Sequence, residues 1–158
     1  MLRKILFVIA FFTTVTSVIA QEITEKDLVG SWRLVALEVE GIYVDFEKDS
    51  ISLPEEIIGS MAEGEIIELK KNTTLGLQHF KTLNIDFYEG YTMKAFLEGG
   101  MVVDDGPYTI IKNSDTYSIK GTDSDEEFPI DIKDELFYWN FQNNSGGRIT
   151  TIFERKED

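Results

Sequence analysis

Ser31-Trp32-Arg33-Leu34-Val35-Ala36-Leu37-Glu38-Val39 reads as a β-strand by its period. Trp32, Leu34, Ala36 and Glu38 alternate with Arg33, Val35, Leu37 and Val39, so the two sets point to opposite faces of a sheet. The alternation is imperfect, because both sets are largely apolar between residues 34 and 37. That pattern predicts a strand buried on both faces for part of its length. Gly41 breaks the run, and residues 42–46 continue it as a second short strand.

Working outward, the rest of the chain repeats this layout. Short apolar and aromatic runs at residues 83–88, 90–98, 107–112, 116–120, 128–133, 136–142 and 148–155 are separated by Gly-, Asn- and Asp-rich turns. Phe128, Ile130 and Ile132 share one face, as do Phe137, Trp139 and Phe141. Gly99-Gly100 and Asp104-Asp105-Gly106 read as turns bracketing residues 101–103, and residues 143–147 read as a hairpin loop. Short strands joined in order by tight turns predict an all-β, antiparallel, up-and-down meander. Such a sheet loses its edges most completely by closing into a barrel, here of about eight to ten strands.

Residues 53–62 are the one helix expected, with Pro54 in the first turn, Glu55 and Glu56 at the positive end of the dipole, and Ile57, Ile58 and Met61 on one face. Beyond Gly64, residues 65–71 and 74–80 read as a hairpin with a turn at 71–73. Glycosylation sequons occur at Asn72 and Asn143, both in expected turns.

The chain has 158 residues with 15 basic and 29 acidic side chains, one His and no Cys. Residues 1–20 have a short basic start, an apolar core at 5–12 and small residues before Gln21, the layout of a secretory signal peptide. The core is too short to span a bilayer. Cleavage after Ala20 would leave one domain, residues 21–158, of 138 residues, and would remove Arg3 and Lys4, moving the formal charge from −14 to −16. The expectation is an exported protein, periplasmic or secreted. So acidic a surface repels phosphate backbones, which argues against nucleic acid as a partner. The lack of Cys excludes disulfides, thiolate metal sites and a Cys nucleophile.

Leu28-Val29-Gly30-Ser31-Trp32-Arg33-Leu34-Val35 resembles the opening of the lipocalin-like (calycin) families, where a Gly-x-Trp motif starts the first strand and plugs the closed end of the barrel. The resemblance implies that an Arg near the end of the last strand packs across the Trp. Arg155, in Thr151-Ile152-Phe153-Glu154-Arg155, is the best match, and Arg148 the second choice. Residues 66–74 are similar to a hairpin of the secreted bacterial lipocalin-like domains, and Asp105-Gly106-Pro107-Tyr108 to the start of one of their strands. No helix is expected after the last strand, which favours that bacterial type. A guanidinium over an indole contributes about 0.5–2 kcal/mol, so Trp32 and Arg155 are read as a structural barrel-end pair.

Inward faces then supply candidate ligand-binding residues: Leu77, His79, Tyr108, Tyr117, Phe128, Phe137, Trp139, Phe141 and Phe153. A barrel lined this way accepts a small apolar or amphipathic molecule; equally, an eight-stranded barrel leaves just enough room for side chains to fill it. His79 has no second ligand spaced to support haem or metal, so no cofactor and no metal are expected. The acidic run 123–127 lacks the spacing of a calcium loop and reads as a solvated turn. No nucleophile elbow, phosphate loop or defined carboxylate pair is present, so no catalytic residue is assigned. The reading is a non-enzymatic exported carrier of a small hydrophobic ligand. The alternative is an acidic protein-interaction module, an inhibitor or accessory subunit, with a filled barrel.

Overall fold

A computed structural model of the chain describes residues 22–142 and 146–157. The expected signal peptide and the sequon at Asn143 lie outside the described residues. In chain order the elements are α1 (Glu25–Leu28), β1 (Gly30–Val39), β2 (Ile42–Asp45), β3 (Ser50–Ser52), α2 (Glu55–Ser60), α3 (Glu63–Leu77), a 3₁₀ turn (Gln78–Thr82), β4 (Asn84–Tyr88), β5 (Thr92–Leu97), β6 (Met101–Asn113), β7 (Thr116–Gly121), β8 (Phe128–Lys133), β9 (Leu136–Gln142) and β10 (Arg148–Arg155).

From β4 to β10 each strand pairs antiparallel with the next, and β10 returns to β1. β1 pairs with β4 over residues 30–33 and with β10 over residues 32–39. β1 and β4–β10 therefore form a closed eight-stranded antiparallel barrel, the all-β architecture expected from the period. The upper half of β1, residues 36–39, takes β2 as its neighbour where β4 is absent, and β3 pairs onto β2.

The irregular alternation of β1 has a structural cause. Its register against β10 shifts between Leu34 and Ala36, and residues 34 to 37 are all buried. Leu34 and Leu37 join the main core, whereas Val35 and Ala36 pack with Ile152 in a separate small cluster covered by Tyr43, Leu136 and Tyr138.

The helical connection is longer than the sequence period predicts. α2 lies inside the helix expected at 53–62, but the expected hairpin of residues 65–80 is α3 followed by the 3₁₀ turn. The similarity of residues 66–74 to a lipocalin-like hairpin fails with it, and Asn72 lies in a helix, not a turn. Ile66, Leu69, Thr73 and Leu77 share a half-buried face at helical spacing. Glu65 returns to the helix start, where its Oε2 accepts from the Ala62 backbone N–H at 2.8 Å. Thr74 is accommodated by donating its hydroxyl to the Lys70 carbonyl at 3.0 Å. No residue of α3 is fully buried, and no helix among the described residues is long and apolar enough to cross a membrane.

Asp104-Asp105-Gly106 is likewise not a turn. It lies inside β6, which runs unbroken through Gly106 at φ +147°. That conformation suits glycine, and it falls where the strand changes neighbours. Residues 101–107 pair with β5, and residues 108–113 pair with β7.

Candidate functional site

The two ends of the barrel are built differently. At the end where β1 starts, Trp32 is buried and pairs across the sheet with Arg155. The guanidinium carbon of Arg155 lies 4.4 Å from the indole centroid. Its Nη1 donates to the Val29 carbonyl at 2.5 Å and its Nη2 to the Asp27 carbonyl at 2.7 Å, while Trp32 Nε1 donates to the Leu28 carbonyl at 2.7 Å. Gly30 is fixed by this arrangement: its φ is +129°, and a Cβ there would stand 2.5 Å from Arg155 Nη1. Arg148 sits at the far end of β10, opposite Gln142. Behind Trp32 the interior is filled by rings, with Phe137 within 5.6–5.7 Å of Trp32, Phe87 and Phe153, centroid to centroid. Rings thus fill the interior behind Trp32, and a concavity of about 1050 Å³ lined by Asp27, Trp32, Arg33, Asp134, Glu154 and Arg155 lies at the same end.

The other site follows from the stagger of the strands. β7 leaves the ladder at Gly121, opposite Tyr108, so residues 101–107 of β6 have a strand partner on the β5 side only. The Pro107 carbonyl accepts from both the N–H and the hydroxyl of Thr122, at 3.1 and 3.2 Å, and pins the lower edge of the resulting gap. A cavity of about 330 Å³ opens there, within the range that holds small molecules. Met93, Ile119, Phe128 and Trp139 form its apolar wall, and Tyr108 lines it too. The exposed residues Asp104, Asp105 and Asp123 also line it, and no basic residue does.

Two of the lining residues carry a buried polar atom: the Tyr108 hydroxyl and the Trp139 indole Nε1 have no hydrogen-bond partner among the described residues. Burial, and then the nearby Glu25 and Tyr91, push the Tyr108 hydroxyl up to about 12, so it stays protonated near neutral pH.

The structure gathers most of the candidate interior residues and disperses the rest. Tyr108, Tyr117, Phe137 and Phe153 are in the main core, with Trp139 packed against it. Phe128, Trp139 and Phe141 form a half-buried trio with centroids 6.1–6.3 Å apart above that core. Of these, Tyr108, Phe128 and Trp139 reach the cavity. Leu77 meets the core from the end of α3, not from a strand. His79 is a correction: it lies exposed in the 3₁₀ turn with its ring 4.2 Å from that of Phe80, because the segment that was to carry it inward is helical. No group of three or more His, Asp or Glu is placed to hold a metal among the described residues.

Sequence reasoning missed Met93, Ile119 and the three rim aspartates. Met93 and Ala95 are buried at alternate positions of β5, and so are Tyr117 and Ile119 in β7, so period two could have placed these side chains inward. The aspartates gave no such signal, since both acidic runs look like ordinary turns.

No protein-family model and no curated protein matches the chain. Among solved structures it is similar to the crystal structure of a DUF4847 family protein from Bacteroides vulgatus ATCC 8482, at 12% identity, over 85% of this chain and 98% of that one, with a TM-score of 0.45.

Proposed function

We propose that this chain is an exported, non-enzymatic protein of lipocalin-like type that binds a small hydrophobic or amphipathic molecule in the gap between β6 and β7. The observation that carries the reading is the cavity of about 330 Å³ with an apolar wall, two of whose lining residues carry buried polar atoms without a partner among the described residues. Native interiors satisfy nearly all such atoms, and a pocket with a few convergent polar groups is the usual form of a small-molecule site. The signal-peptide layout of residues 1–20 supports export, and the Gly30, Trp32 and Arg155 arrangement supports the lipocalin-like assignment.

The test is titration of the full-length mature protein with Nile red, a neutral lipophilic dye. Saturable uptake at one dye per chain is expected, with energy transfer or quenching from Trp139 at the cavity wall. Uptake that never saturates, or no uptake, would overturn the reading.

A second reading, a protein-interaction module, is favoured by the free side of β6. Met101, Val102 and Val103 there are 66%, 45% and 58% exposed, beside Asp104 and Asp105. An extended segment adding itself to that edge would need apolar side chains flanked by Lys or Arg. Salt-sensitive co-purification of such a partner from the exported fraction supports this reading, and salt-insensitive or absent capture counts against it.

A further inference from the structure

The cavity between β6 and β7 has a charge pattern as well as a shape, and the two together narrow what it can hold. This inference rests on the binding reading above. We propose that the cavity selects uncharged amphiphiles carrying a hydrogen-bond acceptor, a carbonyl or amide on a short apolar tail, and rejects anionic amphiphiles such as fatty-acid carboxylates.

Three observations carry the proposal. The first is the wall. Met93, Ile119, Phe128 and Trp139 offer apolar surface to a tail, and a volume of about 330 Å³ lies at the small end of the range that holds drug-sized molecules. The second is the pair of unpartnered polar atoms. Indole Nε1–H is a donor with no acceptor capacity, and the Trp139 group is buried without an acceptor. Tyr108 is 3% exposed and its hydroxyl has no partner either. A carbonyl oxygen entering the cavity would satisfy a donor that the chain leaves unmet, which lowers the cost of its burial. A pure hydrocarbon would not.

The third observation is the rim. Asp104, Asp105 and Asp123 line the opening, and Asp125, Glu126 and Glu127 follow in the same β7–β8 loop. Neither neighbouring cation is among the lining residues: Lys120 Nζ faces Asp125 at 3.9 Å, and Lys94 stands beside Asp105 as its cross-strand neighbour on β5. A carboxylate would have to pass this rim and then lose its hydration in a wall that offers no cation to pair with it. The acceptor strength of a carboxylate does not offset both effects. An amide carries the same oxygen without the charge. The repulsive element at the rim and the attractive donor in the wall together give the discrimination.

The experiment compares two matched probes, decanamide and decanoate, as competitors for bound Nile red on the full-length mature protein at pH 7.5 and low salt. Decanamide is expected to displace the dye at a concentration at least about tenfold below that of decanoate, equivalent to about 1.4 kcal/mol. Because the discriminating charges are exposed, about 0.5 M NaCl should shrink the ratio several-fold. The triple variant Asp104→Asn, Asp105→Asn, Asp123→Asn should bring decanoate close to decanamide. Trp139→Phe, which keeps a ring and removes the donor, should weaken decanamide several-fold.

Nile red uptake with equal displacement by both probes, or a ratio that neither salt nor the triple variant alters, overturns the selectivity and leaves the binding site standing. Failure of the parent protein to take up Nile red overturns the binding reading, and the selectivity falls with it. The salt dependence is read on the parent protein, so the outcome does not depend on any variant folding.

Discussion

Gly30→Ala should destabilise the protein by about 3 kcal/mol, and the reason is local. Gly30 holds φ at +129°, a region that a residue with a Cβ occupies at a cost of about 1–3 kcal/mol. The added methyl would also stand 2.5 Å from Arg155 Nη1, so the guanidinium must move. Moving it gives up the contact over Trp32 and the hydrogen bonds to the Val29 and Asp27 carbonyls. The ring contact contributes about 0.5–1 kcal/mol at a site this exposed. The hydrogen bonds add about 1 kcal/mol once discounted for solvent access to Arg155. Urea unfolding followed by tryptophan fluorescence reads the loss. With a slope of about 1–3 kcal/mol per molar urea, the midpoint should fall by roughly 1–3 M.

The decisive version is a double-mutant cycle with Arg155→Ala. That single change should cost about 1–2 kcal/mol. In its background Gly30→Ala should lose only the backbone penalty, so the two effects should fall short of additivity by about 1 kcal/mol or more. Additivity within about 0.5 kcal/mol would refute the claim that Arg155 is what demands a glycine at position 30. A Gly30→Ala cost below about 0.5 kcal/mol would refute the backbone argument as well.

Three further outcomes follow from the same structure. Phe137, with no exposed surface and rings of Trp32, Phe87, Trp139 and Phe153 around it, should cost about 3–5 kcal/mol as Phe137→Ala, read by the same urea titration. Asp45 accepts from Lys48 Nζ at 2.8 Å and from the backbone N–H groups of Lys48 and Glu47 at 2.9 and 3.0 Å, and these bonds, Lys48 first, hold its carboxyl below the usual range. A lowered folded pKa gives stability that is present above the unfolded value and lost as the pH falls through the folded one. Asp45→Asn should therefore lower Tm at pH 7, and the gap from the parent should close below about pH 4. Asp134 and Glu135 have φ of +50° and +65° in the two-residue turn between β8 and β9, the signature of a type I′ turn whose second position favours glycine. Glu135→Gly should raise stability by about 0.5–1 kcal/mol, measured as a higher urea midpoint.

The strands were legible because a half-buried strand writes its two faces into the sequence. Phe137, Trp139 and Phe141 follow one another at every second position, and Gly marks the turns at 41, 90 and 99–100. The packed end was legible too, since Gly30, Trp32 and a terminal Arg are each demanded by one crowded spot. α3 was not, because Ile66-Ile67-Glu68-Leu69 fits either period over so short a run and Asn72-Thr73-Thr74 carries turn and strand preferences. Its helical face becomes visible only once Leu77 and Leu83 are seen against the core. The cavity rim was least legible. Asp104 and Asp123 line one opening only because Tyr108 pairs with Gly121, and that register is set by the stagger of the closed barrel, not by any local preference.

The two tryptophans show what separates the ends of this barrel. Trp32 is 2% exposed, and its Nε1 reaches the Leu28 carbonyl at 2.7 Å. That carbonyl is at the last residue of α1, where helical hydrogen bonding runs out and a free acceptor remains. Trp139 lies among strands, whose carbonyls are committed to ladders with β8 and β10, and its own carbonyl also accepts from Thr151 Oγ1 at 3.1 Å. No carbonyl of the neighbouring strands lies within hydrogen-bonding reach of the Trp139 donor, which goes unmet among the described residues. An acceptor for it has to come through the gap beside β6, where Trp139 and the rim aspartates line the same opening. On the proposed binding, substitutions at Trp32 should act on folding and conservative ones at Trp139 on what the cavity holds.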